Sequence, residues 1–162
     1  MPNACYVSIE GDTQGKFKAE PSFSKFGSDK IPAFRFSYSV VAPHDLATGQ
    51  VSGKRQHGTV KFSKEQGAAS PQIFQALVSN ETLKTVTVEF TRTNQSTGKE
   101  EVHFVFKFTN ASVVAAVSHF DQTVRGGPFD GKELLDVELT FESITVEDKI
   151  GKTTSQDDWQ VQ

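Results

Sequence analysis

The sequence predicts a mainly β protein with a single domain and one short α-helix. Three observations carry this. Apolar residues alternate with polar ones in several runs, the period of a half-buried strand: Phe34, Phe36, Tyr38 and Val40 share one parity, as do Val102, Phe104, Phe106 and Phe108. Phenylalanine is abundant, 14 in a chain of 162 residues, which suits a β core filled by aromatic rings. Only residues 70–80 space their apolar positions as a helix does.

Taken in order, Cys5, Val7 and Ile9 alternate with Tyr6, Ser8 and Glu10 to give a first strand, which Gly11-Asp12 turns. Residues 13–30 scatter Phe17, Phe23 and Phe26 without a period and read as irregular or edge structure. The strand through Phe34 to Val40 stops at Pro43. Residues 43–56 are polar, carry Gly49 and Gly53, and form a connection too long for a simple turn, which marks them as a contact surface. Val60 and Phe62 then open a short strand. Ser70 is placed to accept a bond from a free first-turn amide, and Pro71 occupies a position where a helix has no amide bond to lose, so the helix is expected to start there. Ile73, Phe74, Leu77 and Val78 are its expected buried side, and it should end near Asn80.

Val86, Val88 and Phe90 alternate next, followed by a hairpin connection over residues 93–99 and the phenylalanine-rich strand from Val102. Residues 111–120 are apolar on both parities, so cover is expected on both faces, part of it from a neighbouring subunit. Residues 121–132, with Gly126-Gly127-Pro128, read as a mobile loop. Leu135, Val137, Leu139 and Phe141 are odd but Ile144 and Val146 are even, which requires a bulge or a sharp bend near Glu142-Ser143. A polar tail over residues 149–162 has few anchors and is expected to be weakly ordered on its own.

Composition narrows the chemistry. A net charge of −3 and a single small basic pair, Lys54-Arg55, give no nucleic-acid surface. No run is long and apolar enough to insert in a membrane, and the N-terminus has no signal-peptide pattern. Cys5 stands alone, so it can neither staple the fold nor build a thiolate cage, and its parity makes it a small core hydrophobe. The four histidines, at 44, 57, 103 and 119, have no metal-ligand spacing, and His103 falls on the polar side of its strand. His57 beside Lys54-Arg55 invites an anion, but a loop ordered by hydrogen bonds to backbone carbonyls is the simpler reading. Asp157-Asp158 are read as solvated, since neighbours in an extended segment point apart. Neither a nucleophile elbow nor a dinucleotide-binding glycine pattern occurs, so no catalytic, cofactor or metal residue is assigned and no enzyme is expected.

The run Gly53-Lys54-Arg55-Gln56-His57, then Lys64, then Ser70-Pro71-Gln72-Ile73-Phe74-Gln75-Ala76-Leu77 and residues 86–92 resemble the haemolysin-coregulated protein (Hcp) family, the tube subunits of bacterial type VI secretion systems. The likeness extends to residues 34–40, 135–145 and Gln156-Asp157-Asp158-Trp159. It fades over residues 12–30, and Val146 stands where the family has an aromatic residue.

The resemblance implies a single-domain antiparallel β-barrel of two packed sheets with the helix on its flank. It implies homohexameric rings stacked into a hollow tube, with sheath, spike and lumenal effector proteins as partners. Such a subunit is assembled in the cytoplasm and secreted without a cleaved signal peptide. For ring closure or stacking the candidate residues are Pro43, His44, Asp45, Gly53, Lys54, Arg55 and His57 in the long connection, and Val114 and Ala116 in the two-sided strand. The competing reading is a ligand-binding β-barrel module with a pocket among the phenylalanines or on the long loops.

Overall fold

The computed structural model describes residues 4–18, 30–120 and 132–159, in which twelve strands and one helix occur. The expected loop over 121–132, apart from Lys132, and the positions of Phe23 and Phe26 lie outside the described residues. Every strand pairing is antiparallel. The alternation of β1 (Ala4–Gly11) is visible in its burial, with Val7 and Ile9 inside. Short β2 (Gly15–Lys16) pairs at its edge and delivers Phe17 to the core, so the described part of residues 13–30 is edge structure.

One strand is common to most of the molecule. β9 (Glu100–Phe120) runs for 21 residues. Its first half lies between β8 (Leu83–Thr93) and β11 (Ser143–Asp148), while its second half pairs with β10 (Glu133–Thr140). The changeover falls at Asn110, which has φ 52, a left-handed conformation that asparagine tolerates better than most side chains. Opposite that corner, β10 ends at Thr140 and β11 begins at Ser143. The parity switch read in the sequence is therefore a break, where the chain leaves the partners of one half of β9 for those of the other. Phe141 stays buried through it.

The full order β2-β1-β8-β9-β10-β7-β4 makes one sheet, with β7 at Val60–Glu65 and β4 at Arg35–Ser37. Val7, Val88, Phe62 and Leu139, from strands far apart in that order, share one core cluster, so the sheet is folded into two facing layers. β3 (Ile31–Ala33) pairs with β1 and β4 pairs with β7, so residues 31–37 bridge the ends of the sheet. The barrel is spanned in this way rather than closed by one continuous ladder. Aromatic rings fill it: Phe36 and Phe106 have centroids 5.2 Å apart, Phe108 and Phe141 5.0 Å, and Tyr38 contacts Phe106, Phe108 and Phe141.

The helix α1 (Ala69–Val78) differs from expectation in start and phase. Ser70 is not its cap: Ala68 stands at that position with no side-chain bond. The Ser70 hydroxyl instead accepts from the Gly67 N–H at 3.1 Å and from the fully buried Lys64 Nζ at 2.9 Å, tying the helix to the end of β7. The buried stripe is Ala69, Ile73 and Ala76, with Leu77 half-buried, and α1 lies against β9 through it. Two alanines in that stripe allow a close approach. Phe74, one residue from Ile73 and so about 100° around the axis, is turned outward and is 60% exposed, and Val78 is exposed with it.

The tail is also more ordered than its composition suggests. β12 (Thr153–Asp158) pairs with β11 along its whole length. The turn between them is closed by Asp148, whose Oδ1 accepts from the N–H groups of Ile150 and Gly151 at 3.0 Å each. Those two bonds hold its carboxyl below the ordinary carboxylate range, the Gly151 bond most of all.

Candidate assembly surface

Residues 43–53 are not an irregular loop. They form an arm, a hairpin projecting from the barrel. At its base β5 (Val40–Val41) pairs with β6 (Gln56–His57), and these two strands make a sheet of their own, separate from the main one. Farther out, His44 bridges Val51, and the Ser52 N–H donates to the Pro43 carbonyl at 2.8 Å. At the tip the Asp45 carboxylate accepts from the N–H of Ala47 at 2.8 Å and of Thr48 at 3.4 Å, while the Gly49 N–H returns to the Asp45 carbonyl at 2.7 Å. Gly49 has φ 76, which costs glycine nothing. The β8–β9 turn repeats this pattern, with Asn94 in the place of Asp45 and Gly98 in that of Gly49. The arm ends in Leu46, 92% exposed, and carries no charged residue from Leu46 to Gly53.

The arm joins the barrel through a cluster of side chains. Arg55, just before β6, and His57 within it are two positions apart, and both reach Asp157 on β12. Arg55 Nε donates to Oδ2 at 2.5 Å, Arg55 Nη2 donates to Oδ1 at 2.7 Å, and the same Nη2 reaches the Asp158 carbonyl at 2.8 Å. The His57 ring, with a side chain only 4% exposed, lies between Asp157, 2.7 Å from Nε2, and the Tyr38 hydroxyl, 2.5 Å from Nδ1. The Nε2–H can donate to Asp157 while the Tyr38 hydroxyl bonds Nδ1, so both ring nitrogens are engaged. Burial pushes the Tyr38 phenol up, with the charge of Asp157 adding to the effect, so the hydroxyl keeps its proton. Phe141 and Trp159 flank the imidazole, with centroids 5.4 and 5.3 Å away. The bidentate arginine holds the Asp157 carboxyl at about 2, below its ordinary 3.8, and the bond from His57 acts in the same direction.

The structure thus divides the candidate residues. Pro43, His44, Asp45, Gly53 and Lys54 lie on the arm, all exposed except half-buried Pro43. Arg55 and His57 face inward and are bound to side chains, with Asp157 the partner of both; the expectation of backbone carbonyl partners for His57 is corrected, as is that of a solvated Asp157. Val114 is exposed because the β9–β10 register shifts between Val113 and Ala115, leaving it opposite no partner. Ala116 instead pairs with Val137 and packs against the core. One side of this strand is open beyond residue 111: the β8–β9 ladder ends at the Leu83–Ala111 pair, and no described strand continues on that side. Val117 and Phe120 are exposed there too. His103 is half-buried with Nδ1 enclosed, not solvent-facing.

A groove of about 640 Å³ lies on the outer face of β4, β7, β10 and β9, lined in part by Phe34, Lys61, Val117 and Glu138. Phe36 and Phe62 also border it, two residues shared with the core. Lys61 pairs with Glu138 at 3.8 Å, and Asp136 accepts from Ser63 Oγ at 2.6 Å and lies 3.0 Å from His119 Nε2, so the wall matches charges within itself. Ser63, Asp136 and His119 are the residue types of an acyl-transfer relay, but the serine meets the carboxylate and not the imidazole. It is therefore not activated as a nucleophile.

Comparison with known proteins agrees with this geometry. The family model described as type VI secretion system effector, Hcp, matches residues 6–147. The major exported protein of Pseudomonas aeruginosa is 28% identical, with 98% of this chain and 96% of that protein covered. A crystal structure of an Hcp protein is 28% identical and superposes with a TM-score of 0.88 over 99% of this chain and 100% of the other. The secreted protein Hcp3 from Pseudomonas aeruginosa, at 24% identity, shares the fold with a TM-score of 0.79 over 99% of this chain and all of that one. On the barrel, the flanking helix and a match over most of its length, the chain belongs to the Hcp family of type VI secretion tube subunits.

Proposed function

We propose that copies of this chain close into hexameric rings through the apolar surface around Val114, and that the arm over residues 43–53 carries the contact between rings stacked into a hollow tube. The tube leaves the cell through the secretion apparatus, meets its sheath and spike proteins, and holds effector proteins in its lumen. The observation that supports this reading best is the arm. Its fold is complete within the monomer, yet it ends in exposed Leu46 and carries no charged residue from Leu46 to Gly53, which favours burial of this stretch by a second subunit.

Native mass and negative-stain imaging test it together. The parent chain should give rings of about six subunits, the number expected of the family, and stacks of them. Replacing residues 46–52 by a Gly-Ser connection should leave rings and remove stacks and export. Val114→Asp should shift the mass to monomer, because an unpaired charge at an apolar contact is costly. A shortened chain that still stacks and is exported would move the stacking contact away from the arm.

A further inference from the structure

We infer that Asp157 is the positioning residue of the arm: acting from β12 through Arg55 and His57, it sets the direction in which residues 43–53 project. This rests on the proposed role of the arm only for its consequence in assembly, not for the geometry. The arm strands β5 and β6 follow β4 and β7 on the same two chain segments, but the ladder breaks between the Ser37–Lys61 and Val40–His57 pairs, and β5 and β6 form a two-stranded sheet of their own, so the arm can turn about this break. Its outer hydrogen bonds, from Pro43 to Ser52, tie it to itself. The Gly58 N–H to Ser39 carbonyl bond at 2.7 Å joins the two limbs at the hinge, and the side-chain cluster at Arg55 and His57 connects them to β12.

A single backbone bond leaves rotation about the hinge open. The cluster removes it, because Asp157 takes two bonds from a planar guanidinium and a third from an imidazole whose other nitrogen is held by Tyr38. Asp157 is in turn anchored by the β11–β12 ladder, and β11 by β9. Direction therefore passes from the barrel to the arm chiefly through the Asp157 carboxylate, which receives three of these bonds, with the Asp158 carbonyl receiving one more from Arg55.

Pulsed dipolar spectroscopy tests this directly. Spin labels are placed at Ala47→Cys on the arm and Ser96→Cys on the β8–β9 turn, both exposed. The background is Cys5→Ser, and labelled chains are diluted into unlabelled ones. The parent should give one narrow distance distribution. Asp157→Asn, which keeps the shape but turns an amide toward donors, should broaden it at least about twofold while the melting temperature stays within about 5 °C, as the loss of a half-exposed ion pair implies. Arg55→Gln should broaden it equally, and Arg55→Lys less, since lysine keeps the charge without the fork. An unchanged distribution in Asp157→Asn overturns the inference. So does a broadening accompanied by equally faster hydrogen exchange along β11 and β12, or a collapse in melting, since Asp157 would then serve the strand and not the arm. Tube formation, scored on the same unlabelled variants, bears separately on the assembly reading: broad distances with normal tubes support the positioning role and remove the arm from stacking.

Discussion

The side-chain amide of Asn110 donates to the Glu142 carboxylate at 2.8 Å, joining the corner of β9 to the break between β10 and β11. The Glu142 N–H reinforces the link by donating to the Thr109 carbonyl at 3.0 Å. Both places where the sheet changes layers are thus fastened to each other. Asn110→Val should cost about 2–3 kcal/mol, from a β-branched residue forced to positive φ and one lost hydrogen bond. Asn110→Gly loses the same bond but relaxes the backbone, and should stay within about 1 kcal/mol of the parent. Urea midpoints of the two variants decide, and equal losses would show that conformation at the corner is not what matters.

Phe74 and Phe108 make a matched pair for the outward turn of α1. Phe108 is fully buried in the ring cluster, so Phe108→Ala should cost about 3–5 kcal/mol. Phe74→Ala, on the exposed face, should change monomer stability by less than about 0.5 kcal/mol. Thermal melts at a concentration where the chain is monomeric test both values.

The Asp157 carboxyl has a folded pKa depressed from 3.8 to about 2, so the stabilisation it brings is complete above 3.8 and disappears as pH falls toward 2. The gap in urea midpoint between the parent and Asp157→Asn should be constant from pH 7 to about 4 and close between about 4 and 2. A gap that widens on acidification contradicts the assignment of Arg55 as the main cause.

Burial pushes the Cys5 thiol up to about 12, so at pH 8 very little thiolate is present in the folded protein. Alkylation of the native chain should run on the order of a thousand times slower than that of the urea-unfolded chain, in proportion to thiolate fraction alone. A rapid native reaction, followed by mass spectrometry, would place Cys5 in a more open setting than the coordinates do.

Strands were legible because alternation reports a one-sided face directly, as in Phe104, Phe106 and Phe108. The break near Glu142 was legible for the same reason, since parity can change only where the ladder is interrupted. Helical phase was less so. Ile73, Phe74, Leu77 and Val78 fit one side of a helix on apolarity alone, and what turns Phe74 outward is the close approach allowed by Ala69 and Ala76, a property of the partner surface. The arm did leave a signal: Asp45-x-x-Thr48-Gly49 repeats the spacing of Asn94-x-x-Thr97-Gly98, where a hairpin was expected, and the two tips fold alike. The partnership of Arg55 with Asp157 left none, because the two residues are 102 positions apart and neither carries a local pattern that names the other.

Because β9 contributes to both layers, neither layer has a boundary along which it could separate from the other. Peeling β10 from residues 112–120 exposes the same core that β8 and β11 cover along residues 100–111, so loss of one layer removes the support of the other. A strand shared in this way couples the unfolding of the two layers. For a subunit of a secretion tube, that shared strand spreads a load on either layer over the hydrogen bonds of both and leaves no seam between them.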